Sequence, residues 1–124
     1  MNPSDLPLTG CRILVVEDEY LIAIEMERWL QEAGAVVAGP VSKAVQALAL
    51  IEKAKPDAAV LDVHLSDDLV YSVADQLSAL GVPYLFATGE VRIAGLSDYR
   101  SHPVLGKPIL DTEFVRAVSR LVAH

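Results

Sequence analysis

Short apolar runs alternate with amphipathic stretches along this chain. The run from Cys11 to Val16 is rich in β-branched residues and stops at two acids, which predicts a buried strand meeting solvent at its carboxyl end. From Glu19 to Ala33, the apolar residues Ile22, Met26, Trp29, Leu30 and Ala33 recur at helical spacing. Gly34 then stands where a helix C-cap glycine belongs. Ala35 to Gly39 predicts a second strand, and Ser42 a cap for a helix whose inward face is Val45, Leu48 and Ile51, stopped by Pro56. A third strand spans Ala58 to Leu61 and ends at Asp62. Val70, Val73, Ala74, Leu77 and Leu80 mark a third helix closed by Gly81, and Pro83 to Ala87 a fourth strand ending at Thr88 and Gly89.

Between Glu90 and Arg100 the helical signal weakens, because Gly95 interrupts it and only Ile93, Leu96 and Tyr99 mark a buried face. A short helix is expected there. Pro103 to Gly106 reads as a fifth strand, and Phe114, Val118, Leu121 and Val122 as the inner stripe of a last helix capped by Asp111. Five strands alternating with helices imply parallel βαβ units with right-handed crossovers. The fold expected is therefore α/β, a flavodoxin-like (βα)5 doubly wound sheet of strand order 2-1-3-4-5. In that order strands one and three meet at the topological switch point, where such sheets place ligands beyond their carboxyl ends. Residues 1–10 are expected to form a flexible arm before a single domain over residues 11–124.

Composition narrows the class. The 124 residues are 52% hydrophobic with a net charge of −7, which suits one globular domain with a real core. The ten basic residues are scattered, so a duplex-DNA surface is not expected, since that needs clustered Lys and Arg. One cysteine, Cys11, rules out an internal disulfide and suits a reducing cytoplasm, where it is expected as a small buried hydrophobe. No apolar run approaches the roughly 18 residues needed to span a bilayer, and residues 1–10 lack a signal-peptide pattern. His102 and His124 have no partner spacing and are expected at the surface.

A parallel sheet gathers Glu17, Asp18, Asp62, Thr88 and Lys107 at one edge, because each follows or closes an apolar run. Neighbouring strands lie about 4.8 Å apart, so Asp18 and Asp62 can share one small hard cation. Mg²⁺ fits best: it takes a few carboxylates, waters and a phosphate, and no His/Cys spacing suggests zinc. The backbone carbonyl of His64 is a further candidate ligand. Crowded carboxylates repel one another and favour a cation that relieves the repulsion. One of them can act as a nucleophile toward phosphorus, and Asp62, the central acid at a strand end, is the choice. Lys107 then meets a phosphoryl oxygen as a point charge, and the Thr88 hydroxyl donates to another. The product would be an aspartyl phosphate.

Four motifs carry a family resemblance: VVEDE from Val15 to Glu19, VLDVHL from Val60 to Leu65, FATGE from Phe86 to Glu90 and GKPI from Gly106 to Ile109. In this order and at these separations the chain resembles the receiver domain of bacterial two-component response regulators, from Arg12 to Val122. The resemblance implies Asp62 as phosphoacceptor, Glu17, Asp18 and Asp62 as magnesium ligands, and Thr88 and Lys107 as readers of the phosphate. It implies a sensor histidine kinase or phosphotransfer protein as donor, a downstream protein partner, and a cis Lys107–Pro108 peptide. His64 and Glu90 occupy positions that tune aspartyl-phosphate lifetime in the family.

Two departures stand out. Val104 takes the place of the aromatic switch residue that receivers carry three positions before the lysine. The run from Phe86 to Gly89 looks like a subgroup of receivers that lack this aromatic, though Val91 stands where that subgroup tends to have another one. The loop after Asp62 has Ser66, Asp67 and Asp68 in place of the family's usual Pro and Gly. The leading expectation is a stand-alone phosphoacceptor that signals through partner binding or serves as a phosphate sink, rather than an enzyme with its own substrate. The alternative is a degenerate receiver that binds partners without phosphorylation. A magnesium phosphohydrolase fits less well, because those enzymes resemble Asp-x-Asp and here Val63 and His64 follow Asp62. The segment from Gly89 to Arg100, with the last strand and helix, is expected to move on phosphorylation.

Overall fold

The computed structural model describes residues 6–63, 70–89 and 102–123. Strands β1 (Arg12–Val16), β2 (Val36–Val41), β3 (Ala58–Asp62), β4 (Tyr84–Thr88) and β5 (Val104–Gly106) form one parallel sheet in the order β2-β1-β3-β4-β5. Helices α1 (Tyr20–Glu32), α2 (Ala44–Lys53), α3 (Val70–Ala79) and α4 (Asp111–Val122) cover it. The expected strand order is thus observed. The anticipated helix between Glu90 and Arg100, and with it the expected mover, lies outside the described residues, as do His64, Ser66, Asp67, Asp68, Val91 and His124. Among the described residues no helix is long and apolar enough to cross a membrane.

Side-chain alternation along the strands divides the core in two. Leu14, Val16, Ala59, Leu61, Tyr84 and Phe86 join α2 and α3 on one face. Ile13, Val15, Ala58, Val60, Leu85 and Ala87 join α1 and α4 on the other. Both faces are covered, so the central strands are apolar throughout and end abruptly at polar residues. Gly34 (φ +99°) closes α1 in a Schellman motif, with Ala35 N–H bonded to Leu30 O at 2.9 Å and Gly34 N–H to Gln31 O at 3.0 Å. Gly81 closes α3 the same way. Trp29 is half-buried against Phe114, ring centroids 5.6 Å apart.

Several local expectations are corrected. Residues 6–10 are not a free arm: Leu8 is fully buried, its N–H donates to Ala33 O at 2.9 Å, and its carbonyl accepts from Cys11 N–H at 3.0 Å. Helix α2 begins after Lys43 rather than Ser42, and its inner face is Ala44, Ala47 and Ile51 while Val45 stands exposed. Small alanines turned inward let α2 pack against β2 and β1, an advantage that a reading weighted by side-chain hydrophobicity assigns to the larger valine. Asp111 lies inside α4 rather than at its cap, which is Leu110. Strand β2 runs on past Gly39 through Pro40, because the register shifts between Leu14 and Val16 and an edge strand tolerates a proline. His102 is half-buried and stacks on Tyr84 at 3.9 Å, and Cys11 is only half-buried. Lys107–Pro108 is cis, as the family resemblance implied; Gly39–Pro40 is a second cis peptide.

Candidate functional site

Parallel register carries the polar residues to one edge. Val16 pairs with Leu61, so Glu17 follows β1 where Asp62 ends β3. Glu17 N–H continues the ladder to Val41 O at 2.9 Å. Asp62 in turn pairs with Ala87, one residue before Thr88, and Lys107 N–H donates to Thr88 O at 2.8 Å, extending the β4–β5 ladder past Gly106. Residues far apart in sequence are therefore within side-chain reach. Each strand stops here because its apolar run gives way to a group that needs water or a charge partner.

Lys107 is the centre of the cluster. Its Nζ lies 3.0 Å from Glu17 Oε1, donates to Glu17 Oε2 at 3.1 Å and to Glu19 Oε1 at 3.2 Å, and stands 3.7 Å from Asp62 Oδ2. Glu17, Asp62 and Thr88 are all buried, at 2%, 3% and 0% exposure. Asp18 is exposed, and what it contributes directly is its backbone N–H, 3.4 Å from Asp62 Oδ2. The structure thus brings Glu17, Asp62 and Lys107 into contact, places Thr88 at the adjoining strand end, and leaves the Asp18 carboxylate at the solvent side. Glu19 is the contact that sequence reasoning left unassigned; its signal was an acid directly before an amphipathic helix.

Burial pushes the Glu17 carboxyl up to about 7 from an ordinary 4.5, and the neighbouring Asp62 side chain adds to the rise. The Glu19 N–H, 3.0 Å from Glu17 Oε2, and the Lys107 ammonium oppose it without cancelling it. Burial alone would lower Lys107, yet the pull of Glu17, Asp62 and Glu19 outweighs it and its pKa is raised. Two buried acids thus face one ammonium, and the raised pKa of Glu17 reflects their burial and crowding there.

Glu17 Oε1 accepts no hydrogen bond from the described residues, since Lys107 Nζ approaches it outside hydrogen-bond geometry. An orphaned buried oxygen within an all-oxygen donor set suits a hard divalent cation in kind. In this conformation Lys107 supplies the positive charge, and among the described residues no three His, Cys, Asp or Glu side chains are grouped to hold a metal ion. A cleft of about 580 Å³ opens beside Glu17 and Asp18, lined also by Tyr20, Glu27, Pro40 and Gln46.

Comparison with known proteins places this geometry. The family model described as the response regulator receiver domain matches residues 13–119. The solution structure of SdrG from Sphingomonas melonis Fr1 is 37% identical, covering 94% of this chain and 98% of that one, with a TM-score of 0.79. The BeF3-activated conformation of SdrG from Pseudomonas melonis Fr1 is 36% identical over 97% of this chain and 99% of its own, with a TM-score of 0.76. Protein CcdB of Bacillus subtilis (strain 168) is 26% identical over 123 residues, covering 91% of this chain and 98% of CcdB.

Proposed function

The chain belongs to the response regulator receiver domain family, and on that premise we propose that it accepts a phosphoryl group on Asp62 from a sensor histidine kinase or phosphotransfer protein. The observation that carries the reading is the buried pair Glu17 and Asp62 bridged by Lys107 at the carboxyl edge of the sheet. An Asp62 carboxylate oxygen forms the new bond to phosphorus as the donor's P–N bond breaks. The bonding pair stays on the imidazole nitrogen, which then takes a proton. Lys107 turns to a phosphoryl oxygen of the product, and the Thr88 hydroxyl donates a hydrogen bond to another. Glu17, Asp18 and Asp62, with the backbone carbonyl of His64, would hold Mg²⁺; when bound, it neutralises charge on the transferring group.

Phosphorylation then changes affinity for a downstream protein partner, so the output is signalling. Its acidic balance disfavours direct contact with nucleic acid. Acetyl phosphate or a cognate kinase with Mg²⁺ is expected to add roughly 80 Da, one phosphoryl group, to the protein. An Asp62→Asn variant should gain nothing. Failure with both donors would leave a phosphorylation-independent binding module. Because SdrG has a BeF3-activated conformation, beryllofluoride with Mg²⁺ is a second probe of the same site.

A further inference from the structure

Glu19 follows the two acids that end β1 and occupies the N-cap position of α1, yet its side chain makes no capping hydrogen bond to the helix. Its Oε1 instead accepts from Lys107 Nζ at 3.2 Å, across a sequence separation of 88 residues. Its own N–H donates to Glu17 Oε2 at 3.0 Å, which fixes the backbone from which it reaches. We propose that Glu19 is a positioning residue: it holds Lys107 in the unphosphorylated protein and competes with the phosphoryl group for the ammonium.

An ammonium has three N–H donors. Here hydrogen bonds run to Glu17 and to Glu19, while Asp62 Oδ2 at 3.7 Å lies beyond hydrogen-bond reach. The lysine therefore gives its hydrogen bonds to the β1 side and meets the phosphoacceptor as an ion pair only. One N–H remains for a phosphoryl oxygen on Asp62, and any closer approach of the ammonium to that group draws it off a carboxylate. Glu17 is buried and carries the second contact with Nζ, whereas the Glu19 side chain is 61% exposed. Water can replace the lysine at Glu19 at low cost, so this is the contact that opens first. Glu19 is assigned to no metal or phosphoryl role, so its carboxylate is left over to act as the competitor.

The inference rests on the proposed phosphoacceptor role, and its test separates the two. Beryllofluoride affinity is measured with Mg²⁺ for the parent protein, Glu19→Gln, Lys107→Met and the double variant. Glu19→Gln is expected to bind about 1.5- to 5-fold more tightly, the range for one exposed ion pair, and the gain is expected to vanish without Lys107. An unchanged or weaker affinity overturns the proposal. So does an equal gain in the Lys107→Met background, which would mean only that a negative charge had been removed near an anion. Independently, the ¹⁵N–¹H resonance of the Lys107 ammonium in metal-free protein is expected to move on Glu19→Gln. An unmoved resonance overturns the proposal whatever beryllofluoride does. If the parent protein binds no beryllofluoride, the phosphoacceptor reading falls, while a moved resonance still supports the hold of Glu19 on Lys107.

Discussion

Replacing Glu17 with glutamine keeps the shape of a buried side chain and removes its charge. In the folded protein this carboxyl titrates at about 7 against an ordinary 4.5. The separation of about 2.5 pH units corresponds to about 3 kcal/mol. The sign follows from proton counting. Between the two values the folded chain holds a proton that the unfolded chain has lost, so stability falls as pH rises through this window. Roughly 2–3 kcal/mol of that loss falls between about pH 5 and about pH 8.5. The raised pKa of Lys107 acts only above the ordinary 10.5 and does not enter this window. Urea unfolding at both pH values, in chelator, is the assay. The parent protein is expected to lose about 2–3 kcal/mol more than Glu17→Gln across the range. Loss of the Lys107 contact in the variant shifts its curve vertically and leaves the difference in slope. Under the proposed function, Mg²⁺ favours the ionised carboxylate and recovers more stability at the higher pH than at the lower one. Parallel curves for the two proteins in chelator would refute the argument that burial holds Glu17 protonated.

Two further substitutions probe how the edges of the fold are fastened. Leu8→Ala is expected to destabilise by about 2–5 kcal/mol in urea, since Leu8 is fully buried against the face that carries α1 and α4; a negligible change would return residues 6–10 to the status of an arm. Gly34→Ala is expected to cost about 1–3 kcal/mol, because the residue has φ +99° and a Cβ there would lie 2.7 Å from Thr9 Oγ1 and 3.0 Å from the Thr9 backbone. The same change at Gly81, where φ is +72° and a Cβ meets nothing within 4 Å, should cost less. Equal losses in thermal unfolding would mean that contact with Thr9 contributes nothing.

The central strands β1, β3 and β4 were legible because each is a short apolar run buried on both faces. The edge strands β2 and β5 were legible because their short apolar runs sit between amphipathic stretches, and the strand order followed from right-handed crossovers. The helix stripes of α1, α3 and α4 were legible because large apolar residues mark their inner faces. At α2 the rule failed: Ala44 and Ala47 face the core for their smallness, and Val45 is left in solvent. Leu8 was missed because Pro7 and the polar residues around it mimic a loose terminus, while its partners in the core come from distant helices.

At the site, the residue types and their placement at strand ends were properties of the sequence. A parallel sheet must bring the ends of β1, β3, β4 and β5 to a common edge, so Glu17, Asp62, Thr88 and Lys107 had nowhere else to gather. Which carboxylates face inward was a tertiary matter. That Glu17 is buried with a raised pKa, that the Asp18 side chain is exposed, and that Glu19 hydrogen-bonds the lysine while Asp62 meets it only as an ion pair at 3.7 Å all depend on side-chain directions beyond the last ladder bond. Periodicity governs residues inside regular elements, because there each side chain's direction is set by its neighbours along the chain. Past the end of a strand that constraint lapses, and burial and charge pairing between segments distant in sequence set the direction instead.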